Sequence, residues 1–330
     1  MTLPDKITVV EVGPRDGFQM ETNFIPTEKK IEIIDQLSET GIKRMEVTSF
    51  VHPKAVPQLA DAAEIMARIK KKPGVRYEVL IPNLKGMERA LASGVRDITL
   101  VVSASETHNQ SNMRMSVAES LADFRQVVLM ARDAGVRVTG SVATAFGCAF
   151  EGLVSQQKVA GIVAEYLSMG VHEVALADTT GMADPRSVAD LVQKTMIQLD
   201  GIPLRLHLHN TRGEGLANVL AAMQEGAALF DASICGLGGC PFSPGATGNI
   251  PTADLVNMLH SMGLQTDIDL TRLIECERNT RILVGHDVPG QVLKAGATPW
   301  ALDFMKSNPM KIEEDNNENA SLCHHEGGNK

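Results

Sequence analysis

The chain has 330 residues, 44% hydrophobic and 22% charged, with a formal net charge of −9. That is enough apolar material for one large α/β unit or two smaller domains. The acidic balance argues against nucleic acid as a main partner, and no apolar run approaches the ~20 residues that span a bilayer.

The first residues, Met1-Thr-Leu-Pro-Asp-Lys6, lack the charged head and apolar core of a signal peptide and are not an Arg-rich transit sequence. Five irregularly spaced cysteines suit a reducing cytoplasm better than a disulfide framework. From there the chain alternates. A strand is predicted at 7–12, a helix at 27–40, a strand at 44–48, a helix at 57–71, then a strand at 76–81 and a helix at 84–93. The pattern continues with a strand at 97–102, a helix at 116–134, a strand at 137–143, a helix at 155–169, a strand at 173–177 and a helix at 185–199. Strands at 205–209 and 229–234 each precede a helix, at 213–225 and at about 252–262. Gly41, Gly94, Gly135, Gly170 and Gly226 fall shortly before successive strands, where a helix C-cap is expected. Ser116 with Glu119 fits a capping box.

Eight strand–helix units predict a parallel sheet closed as a (β/α)₈ TIM barrel, with an open doubly wound sheet as the alternative. Extra helical material is expected within 263–308, at 270–283 and 291–295. Residues 1–310 are therefore read as one catalytic domain with a C-terminal helical extension. The polar, acidic stretch 311–330 is read as a disordered tail.

In such a barrel the chemistry gathers where strands end. Arg15 and Asp16 lie just past the first strand in Gly13-Pro-Arg-Asp-Gly17. His207 and His209 sit two apart at the end of the seventh, so both rings share a face. Asn249 lies in the loop after the eighth, which closure brings beside the first. One carboxylate, two imidazoles and an amide oxygen form a mixed donor set that suits Mg²⁺, Mn²⁺ or Co²⁺ better than a closed zinc site. The plainer reading of His-x-His is structural.

Gly236-Leu-Gly-Gly-Cys-Pro241 offers a thiol, Cys240, on a glycine-rich loop. It is either a general acid on a closing loop or a small residue in a tight turn. Cys148 and Cys235 read as packing residues. Glu46 shares a strand face with Thr48 and has Arg15 as its natural partner, in a catalytic or a purely structural ion pair. Asp178 is either a base (or an orienter of metal-bound water) or a helix N-cap. Asn83, Lys85 and Asn112 lie at the same end, where they could meet a phosphate-bearing substrate arm.

Taken together, Val12-Gly-Pro-Arg-Asp-Gly-Phe-Gln19, Glu46-Val-Thr-Ser-Phe-Val51, Pro82-Asn-Leu-Lys-Gly86, His207-Leu-His209 and Gly236-Leu-Gly-Gly-Cys-Pro-Phe242 resemble the 3-hydroxy-3-methylglutaryl-CoA lyase family of (β/α)₈ metallolyases. The similarity covers roughly residues 5–285. It implies metal ligands at Asp16, His207, His209 and Asn249, with Mg²⁺ or Mn²⁺ as cofactor. It also implies a substrate-polarising Arg15, a loop acid at Cys240, an acyl-CoA substrate and a homodimer. The implied reaction is retro-Claisen cleavage to acetyl-CoA and acetoacetate. The alternatives are cleavage of a branched relative of that substrate, or the reverse, Claisen-type synthase chemistry on the same scaffold; a non-catalytic binding scaffold is a third reading. The chain departs from the family pattern at Asn210-Thr-Arg212-Gly-Glu214, where Asp-Thr-Tyr-Gly-Gln is usual. It departs again at Ala253, where glutamate is expected, and at Ser141, where an aromatic hydroxyl is common.

Overall fold

The computed structural model describes residues 3–239 and 248–307. Cys240 and the acidic stretch 311–330 lie outside the described residues. Eight strands, β1 (Thr8–Glu11), β2 (Arg44–Ser49), β3 (Arg76–Leu80), β4 (Asp97–Ser103), β5 (Arg137–Ala143), β6 (Glu173–Asp178), β7 (Leu204–Leu208) and β8 (Leu229–Ala232), close into a barrel. Every pairing around it is parallel, and β1 joins β8 in the register Thr8↔Leu229 to Glu11↔Ala232. Closure rules out the open sheet.

The helices are α1 (Thr27–Ser38), α2 (Ala62–Arg68), α3 (Leu84–Ala92), α4 (Glu106–Met113), α5 (Val117–Asp133), α6 (Gln156–Met169), α7 (Pro185–Leu199) and α8 (Gly215–Gln224). After these come α9 (Thr252–Ser261), α10 (Leu270–Val284), α11 (Gln291–Ala295) and α12 (Pro299–Ser307). Local chemistry marks the ends. The capping box at Ser116 and Glu119 starts α5, and Asp184 accepts from the amides of Arg186 and Ser187 ahead of Pro185 in α7. Gly170 takes a left-handed conformation to end α6.

Three features differ from expectation. The helix expected at 57–71 splits into a short turn, Pro57–Leu59, and α2, because Asp61 is drawn to Thr27 and Lys30 on α1. Its end comes early, with Ile69 already extended ahead of Lys70-Lys-Lys-Pro73. Helix α4, Glu-Thr-His-Asn-Gln-Ser-Asn-Met, has no apolar stripe to announce it, and its start is set by the Ser105 cap. Helix α12, also unexpected, carries Pro299 in its first position, where proline suits a helix start.

The lower interior of the barrel is charged. Arg44 of β2 reaches Glu78 of β3 at 2.6 Å and Glu173 of β6 at 2.7 and 2.9 Å. Arg205 of β7, 1% exposed, meets Glu78 at 2.9 Å, Glu173 at 3.1 Å and Thr99 at 3.2 Å, with Asp231 of β8 at 3.6 Å. Such pairs persist only when each partner is present, since a lone buried charge has neither water nor a counter-ion. Among the described residues no helix is long and apolar enough to cross a membrane. Replacing Arg205 with Met should therefore lower the unfolding free energy in urea by ~3–5 kcal/mol. A loss below about 1 kcal/mol, the range of an exposed pair, would show that the lattice does not hold the barrel.

Candidate active site

After β1 the chain makes a widened helical turn, Gly13–Gly17, in which the amide of Asp16 bonds Val12 O at 2.7 Å. Both bracketing glycines are required by close approach. A β-carbon on Gly13 would lie 2.6 Å from Ile234 Cγ2, and one on Gly17 2.8 Å from Leu237 Cβ. The turn therefore presses on the segment after β8 and delivers Arg15 and Asp16 to the barrel mouth.

The Arg15 guanidinium bridges Glu46 of β2 and Asp16. Burial works against the cation, but the two carboxylates outweigh it and Arg15 stays charged with its pKa raised. Asp16 also accepts from Gln19 Nε2 at 3.0 Å and Asn249 Nδ2 at 2.7 Å. Burial alone would raise its pKa. Arg15, then His207 and His209, bring it below the ordinary carboxylate value. On β2 a bulge pairs Thr48 with Val79 rather than with Leu80, interrupting the alternation that would have aligned it with Glu46.

His207, next to last in β7, has Asp231 directly across on β8, and its Nδ1 stands 3.0 Å from Asp231 Oδ2. That contact turns Nε2 toward the mouth. His209 lies one residue past the strand, where it bridges Asn249 in antiparallel fashion. The two Nε2 atoms are 3.1 Å apart. Burial lowers the pKa of both rings. Asp231 more than offsets this for His207, which is raised, whereas His209, beside the cationic form of its neighbour, falls to about 3. One ligating atom from each of Asp16, His207 and His209 falls within 4.8 Å of the others.

The far end of the chain closes over this cluster. Gly238, at φ +106°, would put a β-carbon 2.6 Å from Asn249 Nδ2 and 3.0 Å from Asp16 Oδ2. Asn249 Nδ2 donates to Leu237 O at 3.0 Å as well as to Asp16. Asn249 thus joins the cluster through its nitrogen, not through the oxygen expected of a ligand. Gly239 is the last described residue before Cys240.

Other expected site residues have different uses. Asp178 is outside the cluster. It pairs with Leu208, the outward residue between the histidines, and its Oδ1 accepts from the amides of Met182 and Ala183 at 2.9 and 3.2 Å. Burial, partly countered by those amides, pushes it up to about 6. The expected cap is also corrected, because α7 is capped by Asp184. Asn83 Oδ1 caps α3 by accepting from Gly86 N at 3.0 Å, so the amide expected to meet substrate holds a helix instead. Lys85 is exposed in the first turn of α3, and Asn112 is exposed in the last turn of α4.

The departures from the family pattern also find roles. Asn210 Oδ1 takes Gly215 N at 3.0 Å, and Arg212 Nη1 donates to the carbonyls of Thr180 and Gly181 at 3.1 and 2.6 Å. The amide of Ala253 bonds Glu277. Sequence reasoning missed Asp231, Gln19 and Glu277. A charge inside the apolar run Leu229-Phe-Asp-Ala232 was the available signal for the first.

The chain matches the HMGL-like family model over residues 6–279. It is 44% identical over 274 residues to the mitochondrial hydroxymethylglutaryl-CoA lyase of Bos taurus, covering 83% of this chain and 84% of the relative. It is 45% identical over 273 residues to the cytoplasmic 3-hydroxy-3-methylglutaryl-CoA lyase of Rattus norvegicus, covering 83% and 80%. An HMG-CoA lyase from Acinetobacter baumannii, solved with coenzyme A and 3-methylmalate, superimposes with a TM-score of 0.87 at 49% identity, covering 91% of this chain and 98% of that one. The closed barrel, the Arg-Asp turn after β1, the paired histidines at the end of β7 and this span of similarity lead to one conclusion: the chain belongs to the HMGL-like family.

Proposed function

We propose that this protein cleaves 3-hydroxy-3-methylglutaryl-CoA to acetyl-CoA and acetoacetate, using a divalent cation, Mg²⁺ or Mn²⁺. The observation that carries the reading is the cluster of buried Asp16 and His209 with partly buried His207, and the Arg15 cation against it. Relatives named for this activity support it.

The residues fit a hard or borderline cation. Two imidazole Nε2 atoms 3.1 Å apart bring two lone pairs together unless a proton or a cation lies between them. Asp16 adds an ionised carboxylate. We assign these three as ligands. Ligation by Asn249 requires its amide to turn over, so that Oδ1 replaces Nδ2 beside Asp16. When bound, the cation supplies Lewis acidity, making a tertiary hydroxyl easier to deprotonate and a neighbouring carbonyl more polar.

The chain's own residues do the rest. Asp231 holds His207 Nδ1, so Nε2 faces the mouth. Glu46 and Asp16 fix the Arg15 guanidinium in a buried setting, where it offsets charge developing on the thioester enolate oxygen. Asp178, raised to about 6 by burial and with its Oδ2 unbonded among the described residues, takes the hydroxyl proton, and the carbon–carbon bond breaks. The oxygen-bearing carbon becomes the ketone, and the electron pair goes to the acetyl carbon. Cys240 protonates that carbon. Asp178 acts as the base with Oδ1 held by the turn amides, and Lys85 is the surface cation we assign to the phosphate-bearing arm of CoA. A homodimer in the cytoplasm completes the reading, on the family resemblance and the cysteine pattern.

Purified protein with Mg²⁺ or Mn²⁺ should release acetyl-CoA from 3-hydroxy-3-methylglutaryl-CoA and lose that activity with chelator. Activity confined to a branched homologue would move the acyl assignment, and condensation of acetyl-CoA with a 2-oxo acid would overturn the direction. Cys240→Ala should cut kcat by ~10²–10⁴ while leaving Mn²⁺ binding intact; a near-normal rate would remove the thiol from the mechanism. Mn²⁺ affinity should also follow pH. Burial lowers His207, but Asp231 holds its pKa above the usual imidazole value, so a proton competes for Nε2. Binding measured calorimetrically should be strongest at alkaline pH and weaken by up to about tenfold per unit below the His207 pKa. An affinity that ignored pH between 6 and 8 would exclude His207 as a ligand.

A further inference from the structure

The segment that lies over Asp16 is held at its root by two buried carboxyl groups. Glu11, the last residue of β1, takes the amides of Gly13 and Ile234 on Oε1 at 2.8 and 2.7 Å, and Thr252 Oγ1 on Oε2 at 2.6 Å. Glu277, in the middle of α10 and 0% exposed, takes the amides of Cys235 and Ala253 on Oε1 at 3.2 and 3.1 Å. Its Oε2 has no hydrogen-bond partner among the described residues. Between these grips Cys235 adopts φ +60°, a left-handed conformation that a residue with a β-carbon avoids unless its surroundings impose it. All three of its polar groups are tied down: the amide by Glu277 Oε1, the thiol by Glu277 O at 3.2 Å, and the carbonyl by Gly290 N at 3.2 Å. That turn directs Leu237 O onto Asn249, and Asn249 onto Asp16.

We propose that Glu277, on a helix outside the barrel, is a positioning residue for the active site: its carboxyl oxygen fixes the Cys235 turn and the start of α9, and through Leu237 and Asn249 it sets the place of Asp16. The inference rests on the lyase reading and deepens it. The carboxyl oxygen that meets the amide of residue 253 comes from α10, at a position where alanine itself brings none. Burial pushes Glu277 up to about 8, with the two amides countering part of the shift. Near neutral pH it is therefore a neutral acid with one acceptor oxygen, which glutamine reproduces.

The test compares Glu277→Met, which keeps the volume and removes the acceptor, with Glu277→Gln, which keeps both. Glu277→Met should lower kcat roughly tenfold to a hundredfold, the effect of losing a group that orients a ligand, with KM within about twofold because Glu277 does not touch substrate. Mn²⁺ affinity should weaken roughly tenfold, and Glu277→Gln should restore both. If the methionine variant does not fold, Glu277→Ala takes its place. Wild-type kcat and Mn²⁺ affinity in the methionine variant, even with a lowered Tm, would overturn the proposal, as would a glutamine variant as impaired as methionine. If the wild-type protein released no acetyl-CoA, the lyase reading would fall, and Mn²⁺ affinity across the variants would still decide the role of Glu277.

Discussion

Closure of the barrel between β1 and β8 is the constraint on which the site depends. Asp16 and Asn249 are 233 residues apart in the chain and 2.7 Å apart in space, and only the parallel pairing of the first strand with the last brings that about. The register matters as much as the pairing. Asp231 stands opposite His207, with Phe230 opposite Leu206. Because side chains alternate faces, a slip of one residue would put Phe230 or Ala232 across from the imidazole and turn the carboxylate outward. The hydrogen bond that aims His207 is therefore a property of the whole sheet.

The buried charges below the site extend this dependence. From Arg44 through Glu173 to Arg205, then Asp231, then His207, each group is held by the next. Most barrels fill this space with branched apolar residues. Here the desolvation of Arg44, Glu78, Glu173, Arg205 and Asp231 has to be offset by their mutual contacts, which works only if the strands keep their spacing. The gain is directional. An apolar core would accept several rotamers, whereas a guanidinium between carboxylates accepts few. The imidazole at the top of the chain of contacts thus stands on a support with little freedom, as preorganised catalysis requires.

The barrel was legible because its signals are periodic. Eight apolar runs recur with helices between them, and His207 and His209 share a face by simple alternation. The Arg15–Glu46 pair could be read from two opposite charges on neighbouring strand ends. What stayed hidden depends on register or on long-range contact. Asp231 could be seen as a charge in an apolar strand, but its partner could not be named without knowing which residue lies across. Glu277 reads as one more acid in the polar sequence Glu275-Cys-Glu277-Arg278. Only the packing of α10 shows that it faces inward. At Asn83 and Asp178 a cap or turn and a substrate contact call on the same side-chain oxygen, and nothing local says which amide or substrate will reach it first.

Because the cluster draws on the turn after β1, the end of β7 and the segment after β8, ligand affinity and barrel closure are thermodynamically linked. On the proposed ligand set, a cation held by Asp16, His207 and His209 would bind only the closed form, so its binding free energy would add to the stability of closure. Reciprocity then requires that whatever loosens the β1–β8 seam also weaken the grip on the cation, even with every ligand in place. Helix α10 lies on that seam from outside, through Glu277 to the root of the last segment and through its packing on α1. The extension beyond the eighth strand is accordingly part of the active site's support, and the barrel alone does not account for the position of Asp16.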